Sequence, residues 1–306
     1  MPFNLVAICG PNASGKTRLG VAVARAVDGE VISVDSRQVY RGMDIGTGKD
    51  LTEYGKGSDR VPVHLIDIVD PSETYTLWQF QRDFYRVFGE IRARGRMPVA
   101  VGGTGLYLEA VLRGYRLASG PADEALRAEL APLDREALDR RLLELDPSLY
   151  ARTDRSTKRR LVRAIETALR GREQQAQPEE PLPAIVPLVI AVKWPREELR
   201  RRIRERLERR LAGGLVEEVA RLRAQGVTDE RLEQIGLEYR YVARHLAGTL
   251  DRDAMREQLY TAICQFAKRQ DTWFRGMERR GVPLHWVPGD HPEEALGLVA
   301  SLRATP

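Results

Sequence analysis

The chain has 306 residues, 42% of them hydrophobic, with 49 basic against 44 acidic side chains and a net charge of +5. That is enough for one large domain or two smaller ones with a substantial core. Only two cysteines occur, Cys9 and Cys264, far apart. No apolar run reaches transmembrane length, and residues 1–10 lack the basic start of a signal peptide. A disulfide framework, a cysteine metal site, a membrane span and a secreted protein are all excluded, so a cytoplasmic protein without membrane contact is expected.

Residues 5–9 form a short apolar run that reads as a buried strand. Gly10-Pro11-Asn12-Ala13-Ser14-Gly15-Lys16-Thr17 follows and fits G-x-x-x-x-G-K-[ST]. Residues 17–27, rich in Ala, Val and Leu, read as a helix packed on a sheet. Strand, glycine loop and helix are what phosphate binding requires. The glycines let backbone N–H groups turn onto phosphate oxygens, and the helix N-terminus adds partial positive charge. Lys16 adds a full charge, and the Thr17 hydroxyl is a usual Mg²⁺ ligand. The loop implies a bound di- or triphosphate and is compatible with its transfer, hydrolysis or expulsion.

Residues 30–34 read as a second strand that ends at Asp35, where a carboxylate sits at the ligand-binding edge of an α/β sheet. Asp35-Ser36-Arg37-Gln38-Val39-Tyr40 leaves as a loop dense in hydrogen-bonding groups, and the glycine-punctuated 41–49 follows. Thr76 with Gln79 forms a capping box ahead of a core-facing helix ending near Gly95. Residues 97–101 read as a strand running into Gly102-Gly103-Thr104-Gly105-Leu106-Tyr107 and a short helix. This second glycine turn reads either as a close backbone approach to a ligand, with Thr104 as its hydroxyl, or as a structural turn.

From Gly114 the pattern becomes helical. Gly120-Pro121 breaks the chain, residues 134–145 and 156–170 read as helices, and 178–183 as a linker. Residues 114–183 are therefore expected to form an inserted helical subdomain between two parts of one core, 1–113 and 184–306. Strand 185–192 is expected to hold Pro187 at an edge or bulge. Helix 196–211 carries eight arginines. Helices 215–225, 232–246 and a long one from 253 towards 277 follow, then a short strand at 284–287. Basic residues crowd into 158–163 and 196–210, which suits a polyanion or a solvated, Glu-paired surface. Aromatic and basic residues interleave over 265–275, a pattern of either nucleic-acid contact or core packing.

The P-loop, Asp35-Ser36-Arg37-Gln38-Val39-Tyr40, Gly46-Thr47-Gly48-Lys49, Gly102-Gly103-Thr104-Gly105-Leu106-Tyr107, Arg160-Leu161-Val162-Arg163-Ala164-Ile165-Glu166 and Ala267-Lys268-Arg269-Gln270-x-Thr272-Trp273-Phe274 occur in that order. The set resembles the bacterial tRNA dimethylallyltransferases, or tRNA isopentenyltransferases, over nearly the whole chain. It departs from them at Ser156-Thr157, where the family often has Asn-Asp, at Ile263-Cys264-Gln265, where it often has Thr-Arg-Gln, and at Gln234-Ile235-Gly236-Leu237, where it often has Gly-Ile-Gly-Tyr. All three lie outside the expected reaction centre.

The resemblance implies a P-loop NTPase-like α/β fold with a mostly parallel sheet and an inserted all-helical subdomain. It implies transfer of a dimethylallyl group from dimethylallyl diphosphate to N6 of adenine 37 beside the tRNA anticodon, with release of diphosphate. Residues 10–17 would grip the diphosphate with Mg²⁺ near Thr17, and Arg206 would assist. Asp35 would be the general base, or alternatively a Walker-B-like Mg²⁺ ligand, and Thr104 its hydrogen-bonding neighbour. Ser36, Arg37 and Gln38 would hold the flipped adenine, and Arg127 with Arg159, Arg160, Leu161, Val162 and Arg163 would grip the anticodon stem-loop. A monomer is expected. On residues alone, a small-molecule P-loop kinase explains the first 110 residues but not the basic helices. A nucleotide-switched RNA-binding protein explains the helices but not the second glycine turn.

Overall fold

A computed structural model describes residues 2–117, 123–174 and 181–304. The break expected at Gly120-Pro121 and residues 178–180 of the linker lie outside them. The chain folds into two compact units, Met1–Gly114 with Pro183–Pro306, and Tyr115–Leu182.

The first unit begins with β1 (Leu5–Cys9), α1 (Lys16–Ala26), β2 (Gly29–Ser33), β3 (Val63–His64), α2 (Leu77–Ala93), β4 (Met97–Gly102) and α3 (Gly105–Leu112). The second unit holds α4 (Glu124–Leu130), α5 (Arg135–Leu145), α6 (Pro147–Arg152) and α7 (Lys158–Gln174). The first unit resumes with β5 (Pro187–Lys193), α8 (Arg196–Ala212), α9 (Leu215–Ala224), α10 (Asp229–Ile235), α11 (Leu237–Leu246), α12 (Arg252–Arg279), β6 (His285–Pro288) and α13 (Pro292–Ala304).

The described strands form one sheet in the order β3-β2-β4-β1-β5-β6, with every neighbouring pair parallel. β1 and β4 are buried along their whole length because helices cover both faces, which explains their unbroken apolar sequences. Val6, Ile8, Val31, Val99, Val101 and Ile190 pack on one face with Leu19 and Val23 of α1 and with Ala295 and Val299 of α13. α2 packs on β2 and β4. Its capping box is formed: Thr76 Oγ1 accepts the Gln79 N–H at 3.2 Å, and Gln79 Oε1 accepts the Thr76 N–H at 2.8 Å.

Two expectations are corrected. Pro187 lies neither on an edge strand nor in a bulge. It is the first residue of interior strand β5, opposite Leu5, where its missing N–H interrupts no ladder. The helix expected over 232–246 is two helices, α10 and α11, separated by extended Gly236 at φ −173°. The apolar residues Leu232, Ile235, Tyr239 and Val242 keep helical spacing across the break, so periodicity runs straight through it. Among the described residues, no helix is long and apolar enough to cross a membrane.

The second unit closes on its own core of Leu130, Leu138, Leu142, Leu161 and Ile165. Its helices start on side-chain caps: Asp123, Asp134 and Asp146 accept the N–H groups of Leu126, Ala137 and Leu149 at 2.7–2.9 Å. Thr157 Oγ1 lies 3.4 Å from the Arg160 N–H at the start of α7. The Ser156-Thr157 departure therefore still offers a capping oxygen.

Candidate active site

β2, β4 and β1 lie side by side, and their C-terminal ends deliver Asp35, Gly103-Thr104 and the loop at 10–15 to one edge of the sheet. The ladder continues past the strands. Val34 donates to the Val101 carbonyl at 2.8 Å, and Thr104 donates its N–H to the Val34 carbonyl at 3.3 Å. Thr104 thereby reaches the 35–38 turn, where its Oγ1 accepts the Ser36 N–H at 3.1 Å. Asp35 Oδ1 accepts the N–H groups of Arg37 at 2.9 Å and Gln38 at 3.4 Å, an Asx-type turn. Its Oδ2 accepts no hydrogen bond among the described residues, and Asp35 lines the cavity.

The P-loop is held from outside. Arg202 Nε donates to the Ala13 carbonyl at 2.9 Å, and Trp194 Nε1 to the Ser14 carbonyl at 3.0 Å. Arg202 also stacks on the Trp194 ring at 4.3 Å. Because a trans peptide sets C=O and N–H antiparallel, the Gly15 N–H points away from Trp194. These anchors hold Ala13 in the left-handed region, φ 63°, which costs on the order of 1–3 kcal/mol for a residue with a Cβ. Lys16 Nζ lies 3.3 Å from the Pro11 carbonyl. The Ser14 hydroxyl is buried without a partner among the described residues.

Gln270 of α12 ties the two glycine turns together. Its Oε1 accepts the Asn12 N–H at 2.8 Å, and its Nε2 donates to the Gly103 carbonyl at 2.8 Å. α12 fits because both turn residues lack a side chain. A Cβ on Gly103 would come within 2.6 Å of Gln270 Nε2, and one on Gly105 would overlap the Trp273 ring. The aromatic-basic run thus divides by face. Ala267, Gln270 and Phe274 are buried, while Lys268, Arg269 and Trp273 are exposed.

A cavity of about 230 Å³ opens between these elements, lined by Asn12, Ala13, Gly15, Lys16 and Thr17, by residues 35–38 and Thr104, and by Arg202, Arg206 and Arg210 on one face of α8. Lys16 is pushed down to about 8, chiefly by burial and then by Arg206, with Asp35 partly opposing. Arg206 is pushed down to about 10, again by burial first and then by Arg210. Its side chain keeps 26% exposure, towards the cavity, and Asp50 lies 4.0 Å away. Lys16 has no ion pair among the described residues and Arg206 only the 4.0 Å contact to exposed Asp50, so the cavity presents positive charge that an anion of more than one charge can meet.

The other residues singled out in the sequence divide. Arg37 pairs with Glu238 at 3.7 Å and stacks over Phe266 at 5.0 Å. Gln38 spans the site, accepting from Ser33 Oγ at 3.0 Å and donating to the Gly48 carbonyl at 3.1 Å. Lys49 of the Gly46–Lys49 motif is fully buried, bound to the Tyr40 carbonyl, Asp44 and Asp67, and tethers its loop. The segment around Gly236, expected away from the reaction centre, borders the cavity: a Cβ on Gly236 would lie 3.5 Å from Arg37, and Glu238 lines the wall. Sequence reasoning gave no role to Gln270, Arg202, Arg210, Glu218 or Trp194. The first lies inside a motif already noted, and Arg202 and Arg210 sit one helical turn either side of Arg206.

Within the second unit, Glu166 is buried and accepts Arg127 Nε at 2.7 Å and an Arg163 nitrogen at 3.1 Å. Arg160 pairs with Asp154, and Arg159 is exposed without an ion pair among the described residues. Leu161, expected in the tRNA-binding set, has its side chain fully buried among Leu138, Leu142 and Ile165, and Val162 packs half-buried against the same cluster.

Residues 38–277 match the family described as IPP transferase, and residues 3–69 match isopentenyl transferase. The chain is 53% identical to tRNA dimethylallyltransferase 1 of Geotalea daltonii, over 98% of this chain and 96% of that one. It is 54% identical to tRNA dimethylallyltransferase 2 of Syntrophotalea carbinolica, over 94% and 95%. The fold superposes on the full-length tRNA isopentenylpyrophosphate transferase from Bacillus halodurans with a TM-score of 0.68, 33% identity, and 97% and 96% of the two chains covered. A eukaryotic dimethylallyltransferase acting on tRNA shares the fold at a TM-score of 0.73 and 23% identity, covering 92% of this chain and 73% of that one. With family matches that run from the P-loop strand to the end of α12, the chain belongs to the IPP transferase family.

Proposed function

We propose that this chain transfers a dimethylallyl group from dimethylallyl diphosphate to N6 of adenine 37 of tRNA and releases diphosphate. The observation that carries this reading is the pair of desolvated cations, Lys16 and Arg206, facing one cavity with the Asp35 carboxylate. The allylic C–O bond breaks as positive charge develops on carbon and negative charge on the departing oxygens. Lys16, Arg206 and the Gly15 N–H stabilise that negative charge as it forms. The amine lone pair of adenine forms the new N–C bond, and its proton passes to Asp35 Oδ2. Thr104 and Ser36 fix the 35–38 turn from which Asp35 acts. The adenine leaves the anticodon stack to reach it, which costs a few kcal/mol.

Mg²⁺ fits this donor set only as an ion shared with the diphosphate. Among the described residues no cluster of three or more His, Cys, Asp or Glu could cage a metal, whereas Thr17 lines the cavity and Mg²⁺ binds through few protein ligands plus phosphates. Bound there beside the Thr17 hydroxyl, it would supply further charge neutralisation at the leaving group. The reading is tested by incubating the protein with unmodified tRNA and labelled dimethylallyl diphosphate. Label stable in the tRNA supports it. Phosphate transfer from ATP to an acceptor, with no prenyl transfer, refutes it.

The second unit is proposed as the grip on the anticodon stem-loop, through Arg127, Arg159, Arg160 and Arg163. Glu166 holds Arg127 and Arg163 on one carboxylate, so their guanidinium groups stay together. Arg163→Glu is expected to weaken tRNA binding about tenfold and to lower the slope of log K against log salt by about one. Tm should fall as well, because the new carboxylate stands beside the fully buried Glu166, so tRNA affinity is read at a temperature where the variant is folded. Unchanged tRNA affinity in a filter-binding titration refutes the grip.

Lys16 also sets a pH dependence. Its folded pKa lies below the usual lysine value, so near and above pH 8 the empty site begins to lose a proton that the diphosphate complex retains. Diphosphate binding should therefore take up protons at pH 8–9, and affinity should be flat below about 8 and fall above it. Calorimetry in buffers of different ionisation enthalpy reads this directly. A pH-independent affinity from 6 to 9.5 excludes Lys16 as the group that meets the anion. The same depressed pKa means that Lys16 alone makes the empty fold more stable as pH rises from about 8 towards 10.5.

A further inference from the structure

Glu218 lies in the first turn of α9, 5% exposed, and every hydrogen bond it makes is one it accepts. Oε2 accepts the N–H groups of Asp44 at 2.9 Å and Ile45 at 2.8 Å. Oε1 accepts the Gly46 N–H at 3.0 Å and the Tyr239 hydroxyl at 2.8 Å. Four donors converge on one carboxylate, three of them consecutive backbone amides. No amide side chain can replace it, because a glutamine would set an N–H against two donors.

The clamped loop runs directly onto the arginines of the cavity. The Gly46 carbonyl accepts from Arg210 at 3.3 Å, and Arg210 is itself paired to Glu238 at 3.0 Å. Gly48 stands at φ +68°, and a Cβ there would overlap the guanidinium groups of Arg206 and Arg210. The buried Lys49 pins the far end of the loop. Glu218 makes no ion pair with either guanidinium; it reaches them through residues 44–48, and through Tyr239, the neighbour of Arg210's partner Glu238.

We infer that Glu218 is a positioning residue for the leaving diphosphate, holding loop 44–48 so that its backbone fixes where Arg206 and Arg210 present their guanidinium groups. The inference rests on reading the cavity as the diphosphate site. The reaction assigns Glu218 no proton and no contact with either substrate, so its effect must appear in anion binding and in coupling to Arg206.

The test compares wild type, Glu218→Gln, Glu218→Asp, Arg206→Lys and the Glu218→Gln/Arg206→Lys double variant by calorimetry with inorganic diphosphate, alongside tRNA affinity and Tm. Glu218→Gln is expected to weaken diphosphate binding roughly 10- to 100-fold, the range for disturbing hydrogen bonds to a charged group, with tRNA affinity unchanged. Glu218→Asp, which keeps the charge, should recover part of the loss. In the Arg206→Lys background Glu218→Gln should add less than about threefold, because the two act through one element. A merely structural role would lower Tm while leaving the affinity of the folded protein intact, or would multiply independently with Arg206→Lys; either result overturns the inference. Should Glu218→Gln fail to fold, Gly48→Ala carries the test, since it presses on the same guanidinium groups with Glu218 in place. Unchanged diphosphate affinity in Gly48→Ala overturns the inference too. Wild type that fails to bind diphosphate removes the reading of the cavity itself, a result distinct from any difference among the variants.

Discussion

Replacing Asp35 with asparagine is expected to slow the prenyl-transfer step about 10²- to 10⁴-fold, the usual worth of a general base, while diphosphate affinity holds. The substitution is nearly isosteric. Asparagine keeps an oxygen to accept the Arg37 and Gln38 N–H groups, so the 35–38 turn and its bond to Thr104 survive. What is lost is the oxygen that accepts nothing within the protein and the charge that draws the amine proton. Single-turnover rates at saturating tRNA and donor read the chemical step directly. A rate near wild type removes Asp35 as base. A large loss of Mg²⁺-dependent diphosphate affinity would assign it instead to the metal, the alternative that strand-end carboxylates in P-loop proteins raise.

The second large effect belongs to Arg206. Arg206→Ala should reduce the transfer rate about 10²- to 10³-fold, as removal of one preorganised donor at a developing anion does. The loss should exceed the loss in ground-state diphosphate affinity, because negative charge grows on the leaving oxygens only as the C–O bond breaks. A further signature follows from the electrostatics. Arg206 is the largest neighbouring charge that lowers the Lys16 pKa. In Arg206→Ala the alkaline limb of diphosphate affinity should therefore move to higher pH. Equal losses in rate and affinity would make Arg206 a binding residue only, and an unmoved limb would separate it electrically from Lys16.

Much of this site was legible in the sequence because its parts are short and lie at strand ends. The P-loop, Asp35 and Thr104 are each written within a few residues of an apolar run, and a parallel sheet brings such ends to one edge. Arg206 is different: nothing in the composition of α8 separates it from its seven fellow arginines, and only the family pattern singled it out. What stayed hidden depends on residues far apart in the chain. Glu218 meets its loop across more than 170 positions, and Gln270 meets Asn12 across 258. The break at Gly236 was invisible for the opposite reason, since the apolar spacing on either side stays in phase. Leu161 was carried into the RNA-binding set by lying inside a basic motif, although its own helical phase points it at the core. Lys49 stands in the sequence only as the end of a glycine-punctuated motif, and its three partners show that it holds the backbone.

The carboxamide of Gln270 has a consequence for timing. One planar group accepts from the loop that grips the departing anion and donates to the turn beside the incoming base. A shift of either turn strains its bond to Gln270, which the other turn shares. In the proposed reaction the spacing between leaving group and acceptor would therefore be gauged by one side chain at the cavity wall, carried on a 28-residue helix. On that reading, donor and acceptor would be kept in register before either arrives.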